Sequence, residues 1–348
     1  MSVTIRDIAK KAGVSIAAVS KALNNRGGIS LPVKLKIERI AKALNYSPYI
    51  NARKTGMLSG PSKHIGIIYA FAGEHLIREI QNGMDSVLTD SGYLLTRFNL
   101  NSPGQTPDEV RKEYLVDKIT EDKSVAGIIA VFVKIADATV AKLQKSGIPV
   151  VQLNNYTSYG KCVYVDNKES AYNATKTLIK LGRKHIGLIM PEEVYEDVWQ
   201  QRLDGYKKAL VEANIDYNPY LTVYEHQFSL SEAARATKTL LEREPKIDAI
   251  IYGSDIQAYG GLEALKTLNK RVPDDIAVLG FDNMPFSEIT YPPLTSIAQP
   301  MFEMGKDGAQ LMLDSIKSNS HGHKAIKLNG ELVLRQSTHK DIPREKLI

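Results

Sequence analysis

In the stretch VSIAAVSKALN (14–24), Ile16, Ala17, Ser20, Lys21 and Asn24 share one side of a helix, while Val19, Ala22 and Leu23 make an apolar stripe on the other. A solvated face carries Glu and Lys in plenty; this one mixes a single cation, small polar groups and two apolar side chains. Such a set can read base edges. The Lys21 ammonium can donate to guanine O6 or N7, Ile16 and Ala17 can meet thymine methyl groups, and Ser15, Ser20 and Asn24 can bond phosphates or base edges. The competing reading, in which this face packs on the rest of the chain, leaves the charge distribution unexplained. Residues 1–64 hold twelve Lys or Arg against two acidic residues, so they carry +10 and, the whole chain being +6, the remainder carries −4. A basic head on a slightly acidic body is the electrostatic footprint of a polyanion partner.

Three short helices can position that face. Thr4 is placed to cap a first helix, with Asp7 at its positive end and Ile5, Ile8 and Ala9 inward. Gly13 breaks it in a tight turn and Ser15 caps the second. A third follows Ser30, with Pro32 in its first turn and Val33, Ile37, Ile40, Ala41 and Leu44 inward. This is a helix-turn-helix pattern, in which the second helix enters the major groove.

From His64 the pattern changes to short apolar runs alternating with amphipathic stretches. Strands are predicted at 65–71, 93–100, 125–132 and 148–154, then at 185–190, 221–225, 248–254 and 276–282. Two sets of four, with helices between them, imply two similar parallel-sheet halves, with ligand residues beyond the strand carboxyl ends. The chain's single cysteine, Cys162, rules out an internal disulfide framework and fits a reducing compartment. MSVTIRDIAKKAG lacks the apolar core of a signal peptide, and GIIAVFV (127–133) is far too short to span a bilayer, so a cytoplasmic location without membrane association is expected.

The ordered run TIRDIAKKAGVSIAAVSKALN, IS, RIAKALNYSP and NARK resembles the DNA-binding headpiece of the lactose/galactose repressor (LacI/GalR) family. The resemblance implies that positions 16, 17 and 21 are the principal base readers. It places Thr4, Ser15, Ser20, Asn24, Ser30 and Tyr46 at the backbone or nearby bases, with Ala18 where Thr is usual. It also implies a hinge helix after Pro48 contacting the operator through Asn51, Arg53 and Lys54. Thr55 stands where a leucine normally wedges into the minor groove, so Met57 or Leu58 would take over the wedge. The body is similar to periplasmic sugar-binding proteins through HIGLIM, QQRLDGYKKAL, GSDIQAYGGLEALK, VPDDIAVLGFDN, PPLTSIAQP and VLRQST. By position, Asn154, Arg202, Phe228, Ser254, Asp255 and Asp282 would line an interlobe effector cleft. Phe228, Trp199, Tyr69 or Phe71 would stack on an apolar sugar or base face.

The expectation is therefore an all-α helix-turn-helix headpiece (1–48), a hinge segment (49–63) and an α/β, type I periplasmic-binding-protein-like body of two doubly wound parallel-sheet lobes (64–341). Lobe 1 is expected over about 64–162 and 294–322, lobe 2 over about 163–293 and 323–341. The implied protein is a homodimeric transcriptional regulator, a repressor in this reading. It would bind a pseudo-palindromic operator in double-stranded DNA under control of a small-molecule effector, a sugar or sugar derivative. Alternatives are control by a nucleobase, a nucleoside or a protein co-repressor, or an enzyme with an appended DNA-binding head. No Walker loop, nucleophile elbow, HExxH or Gly-rich dinucleotide turn is present, so neither catalysis nor a cofactor is expected. His321-Gly322-His323 offers too few ligands for a metal and reads as a linker. The tail HKDIPREKLI is short and lacks a heptad pattern, so no added tetramerising helix is expected.

Overall fold

The computed structural model describes residues 4–23, 29–44, 62–69, 74–100, 115–117, 119–120, 124–191, 197–225, 229–318 and 322–340. Two compact units emerge, one built on the N-terminal 64 residues and one on the bulk of the chain after them.

The first unit holds α1 (Ile5–Ala12), α2 (Ile16–Leu23) and α3 (Leu31–Ala43). Thr4 and Asp7 form a reciprocal capping box at the start of α1, and these bonds hold the Asp7 carboxyl below its usual range. Gly13 ends α1 in the left-handed conformation (φ 68°), which a residue with a Cβ adopts at a cost, and Ser15 Oγ accepts from the Ala18 amide to start α2. Ile8, Ala9, Ala12, Val19, Ala22, Ile37 and Ala41 close a small core.

The second unit contains two six-stranded sheets. The first comprises β1 (His64–Tyr69), β2 (Leu94–Asn99), β3 (Gly127–Val131), β4 (Val150–Leu153), β5 (Lys161–Val165) and β11 (Lys324–Leu328), in the order β11-β5-β4-β3-β1-β2. The second comprises β6 (Ile186–Pro191), β7 (Thr222–Glu225), β8 (Ala249–Tyr252), β9 (Ala277–Asp282), β10 (Thr295–Ala298) and β12 (Glu331–Val333), in the order β12-β10-β9-β8-β6-β7. Pairing is parallel from β11 through β1 and from β10 through β7, and β12 runs antiparallel to β10. Helices α4 (Glu74–Leu88) and α10 (Met301–Ser318) cover one face of the first sheet and α5 (Asp137–Lys145) lies against β4. In the second sheet α6 (Asn167–Lys180) and α7 (Asp197–Glu212) cover one face, and α8 (Leu230–Arg243) and α9 (Asp255–Thr267) the other. The α4–α10 crossing is close: a Cβ on Gly305 would lie 1.9 Å from the Ile80 carbonyl oxygen, and one on Gly83 2.0 Å from that of Phe302.

The two halves are as the sequence predicts, but β5, β10, β11 and β12 are absent from the eight predicted strands. They are three to five residues long, and the edge strands β11 and β12 are largely solvated, so neither a long apolar run nor clean alternation marks them. The expected lobe borders shift accordingly. β5 stays with lobe 1 to Val165, β10 belongs to lobe 2, and the chain returns to lobe 1 for α10 and β11 before ending in lobe 2 with β12. Each crossing leaves a strand's carboxyl end, at Asp166, at Gln299–Pro300 and at Asn329–Gly330. All three crossings therefore lie at strand carboxyl ends, where open parallel sheets hold their ligands.

Candidate functional site

The face opened by α2 is a ready surface. Val19 and Ala22 are buried, while Ser15, Ile16, Ala17 and Lys21 are exposed and Ser20 partly so. Ile16 leaves 46% of its surface in water on a helix with buried alternatives next to it. Thr4 and Ser30 stand at the starts of α1 and α3, where free amide groups and the helix dipole suit a phosphate. Asn24, Tyr46, Asn51, Arg53, Lys54 and Leu58 lie outside the described residues, as do Phe71 and Phe228.

At the strand carboxyl ends of lobe 2, Arg202 is the centre. Only 4% exposed, it donates from Nε to Asn167 Oδ1 (2.9 Å) and from Nη1 to the Gly253 carbonyl (2.5 Å). Its guanidinium carbon lies 4.2 Å from the Phe281 ring centre and 4.8 Å from that of Trp199. Trp199 packs against this guanidinium and against the end of β8, where a Cβ on Gly253 would meet its ring at 3.0 Å. Asp282 ends β9 with φ 106°, a conformation that strains a residue with a side chain. Burial pushes its carboxyl up to about 7 against the opposing pull of Arg202. Gln299, on the second crossing, donates from Nε2 to Asp282 Oδ1 at 2.5 Å, and its own Oε1 is buried without a partner. Gln299 is a site residue that the sequence reading missed, although it lies within PPLTSIAQP.

Ser254 and Asp255 do not present themselves as expected. Ser254 Oγ is the N-cap of α9, accepting from the Gln257 amide. The Asp255 carboxylate is turned inward, where Oδ2 accepts from the Met284 amide (2.7 Å) and Ser287 Oγ (2.6 Å), and Oδ1 from Ser296 Oγ (2.6 Å). Burial raises it to about 6 while these bonds pull it down. Asp255 therefore anchors the β9–β10 connection. Arg335 of VLRQST anchors the same connection, donating to Asn283 Oδ1, the Leu294 carbonyl and Glu288. Glu225, at the end of β7, is a further buried carboxyl missed by sequence: Oε2 accepts from Gln257 Nε2 (2.9 Å), Oε1 has no partner, and burial raises it to about 7.

In lobe 1, Tyr69 ends β1 half-buried, and Asn154 follows β4 with φ 63° and its Oδ1 buried and unpartnered. Phe132, after β3, is likewise left-handed at φ 55°. Strained residues at three strand ends, set among unpaired polar atoms, are what a ligand site carries.

Residues 4–49 match the bacterial regulatory proteins of the lacI family, and residues 175–338 match a periplasmic binding protein-like domain. The chain thus carries a lacI-family DNA-binding domain and a periplasmic binding protein-like domain. Among its relatives are the HTH-type transcriptional repressor PurR of Aliivibrio salmonicida (29% identical, 97% of this chain, 99% of the relative) and the ribose operon repressor of Halalkalibacterium halodurans (29%, 96% and 97%). A solved structure of the transcriptional regulator CelR in complex with cellobiose superposes with TM-score 0.71 at 25% identity, over 96% of this chain and 99% of that one. The chain is thus a DNA-binding transcriptional regulator, and its similar proteins are regulators rather than enzymes. No helix of its described residues is long and apolar enough to cross a membrane.

Proposed function

We propose that the protein is a cytoplasmic, homodimeric repressor, not an enzyme, that reads a pseudo-palindromic operator through Ile16, Ala17 and Lys21. A small effector, a sugar in the first instance and a nucleobase or nucleoside in the second, occupies the interlobe cleft and sets operator affinity. Arg202, Asp282, Gln299 and Asn154 bond it, and Tyr69 and Trp199 flank it. Asp255 and Ser254 support these groups from behind. Residues 1–48 are the headpiece, 49–63 the hinge and 64–341 the body, with the lobe borders at the three crossings. The observation that carries this reading is the Arg202–Asp282–Gln299 cluster at the strand carboxyl ends of lobe 2, in a chain whose N-terminal unit is basic and exposes Ile16. The ribose operon repressor among the relatives and the cellobiose bound in the similar CelR structure support a small hydroxyl-bearing ligand. The test is titration of the full chain with ribose, cellobiose, nucleosides and nucleobases, followed by fluorescence of its only tryptophan, Trp199, and by release from a selected operator. A panel that leaves both signals unmoved argues against a cleft effector of this kind.

Two expected outcomes follow from the surfaces. Lys21→Ala costs about 1–3 kcal/mol of operator binding and relaxes preference at one base pair per half-site, as measured by selection on randomised operators. Unchanged specificity would remove Lys21 from the base readers. In the β9–β10 connection, Phe286 (62% exposed), Ile289 (75%) and Tyr291 (92%) make an apolar ridge held in shape by Asp255 and Arg335. We place it in the dimer interface. Tyr291→Asp is expected to weaken self-association by about tenfold or more, read by sedimentation, because it puts a charge into an apolar contact. A variant dimer as tight as the wild type would exclude this ridge.

A further inference from the structure

Asp255 is fully buried (0% exposed), and three neutral donors converge on its two carboxylate oxygens. The Met284 amide (2.7 Å) and Ser287 Oγ (2.6 Å) donate to Oδ2, and Ser296 Oγ (2.6 Å) donates to Oδ1. β9 makes room for the group, since a Cβ on Gly280 would lie 2.2 Å from Oδ1. The set ties three elements together: Asp255 opens α9, Met284 and Ser287 belong to the β9–β10 connection, and Ser296 lies in β10. Ser296 Oγ also accepts from the Asn283 amide, and the Ser287 carbonyl accepts from the Leu294 amide, so both ends of the connection hang on this carboxylate. We propose that Asp255 is a proton-operated switch of self-association: ionised, it holds residues 284–291 in the shape that presents Phe286, Ile289 and Tyr291; protonated, it releases them and the dimer weakens. The proposal rests on the placing of that ridge in the dimer interface and adds what controls it.

The match of donors to acceptors carries the switch. A carboxylate only accepts, and here each donor aimed at it finds an oxygen. A protonated carboxyl turns one of its oxygens into a donor, and the N–H or O–H facing that oxygen loses its acceptor in a place without water to replace it. The charged and titratable neighbours come from every side. Arg335 favours the ionised form through its charge, while its guanidinium bonds Asn283, the Leu294 carbonyl and Glu288. Asp282, at the end of β9, is a second carboxyl close enough for the two charges to oppose each other. Tyr259 of α9 reaches the set through Ser287 Oγ (2.8 Å), and burial pushes its hydroxyl up and keeps it neutral. Burial outweighs the donors and brings the Asp255 carboxyl up to about 6. Presentation of the ridge needs the ionised form, so association is complete above that value and is lost as pH falls through it. Folding runs the other way, because a carboxyl raised by burial stabilises the native chain as pH falls.

The test is sedimentation of the full chain at about pH 7.5 and about pH 5, with circular dichroism to show that the fold persists at both. Wild-type association is expected to weaken about tenfold or more at the lower pH, the effect of one charge-assisted bond lost per subunit. Ser296→Ala removes a donor that favours the carboxylate, so its midpoint is expected at higher pH than in the wild type, and that of Ser287→Ala likewise. A purely structural role would weaken association equally at both pH values and leave the midpoint in place. Asp255→Asn, neutral throughout, is expected to lose the pH response and to associate as weakly as the wild type does at low pH. If that chain folds poorly, the two serine variants carry the decision. A wild-type dimer equally tight at both pH values, serine variants with an unmoved midpoint, or an Asp255→Asn chain that still responds to pH overturns the switch. Tyr291→Asp separates the two readings, since a tight Tyr291→Asp dimer sinks the ridge as the interface. Amide exchange at Met284 and Leu294, corrected for the intrinsic rate, reads release of the connection without any dimer. Protection that falls with pH upholds the release, and unchanged protection overturns it.

Discussion

An Arg202→Lys chain is expected to bind its operator normally without effector and to need about a hundredfold more effector to respond. The physical reason is the guanidinium's shape. Its planar fork donates at once to Asn167 and to the Gly253 carbonyl while its faces lie against Phe281 and Trp199. A lysine ammonium keeps the positive charge near Asp282 but is a point donor and cannot hold two partners in a fixed plane. Loss of one charge-assisted bond and of the stacked geometry costs roughly 1.5–3 kcal/mol. Alanine is the weaker experiment, because removing the cation leaves half-buried Asp282 without its opposing charge and confuses lost binding with lost folding. Operator anisotropy against effector concentration measures the shift, and Trp199 fluorescence reports binding to the body directly. A lysine variant that responds at wild-type effector concentrations would sink the assignment of Arg202 to the cleft.

What the sequence makes legible is what local chemistry determines. Thr4, Asp7, Gly13 and Ser15 declare the first two helices because capping and a left-handed turn act within four residues. Arg202 and Asp282 stand out because they sit beside helical and strand patterns strong enough to locate them. Asp255 looks like a ligand residue by position, but the direction of its carboxylate depends on Met284, Ser287 and Ser296, which lie 29 to 41 residues away. Gln299 and Glu225 are invisible for the complementary reason. Their importance lies in being buried with an atom unpaired, and burial at a strand end is a property of the assembled sheets. The lobe borders shift on the same ground: Lys161–Val165 is a strand because it pairs with β4, and Lys324–Leu328 because it pairs with Lys161–Val165, not because either reads as one.

Two of the raised carboxyls, Glu225 and Asp282, make the protein's stability and its ligand affinity depend on pH in a stated direction. Glu225 and Asp282 titrate near 7 in the folded chain, each through burial, against about 4 for an exposed carboxyl. Between about pH 4 and 7 the native state therefore binds more protons than the unfolded one, so stability falls as pH rises through that window and levels off above it. Glu225 is 2% exposed, and its shift corresponds to at most about 3 kcal/mol between pH 4 and pH 8; half-buried Asp282 contributes less. Glu225→Gln keeps an acceptor for Gln257 and removes the ionisation. It is expected to match the wild type near pH 5 and to be about 1–3 kcal/mol more stable at pH 8, measured by denaturant unfolding of the body's transition. Parallel stability curves at all pH values would remove Glu225 from the linkage. Asp282 carries the functional half of the same argument. An effector hydroxyl that donates to it favours the ionised form, so binding expels a proton near neutral pH and effector affinity rises from pH 6 to pH 8. Calorimetry in buffers of different ionisation enthalpy reads that proton directly, and in an Asp282→Asn chain the buffer dependence is expected to vanish while Arg202 still holds Gly253 and Asn167.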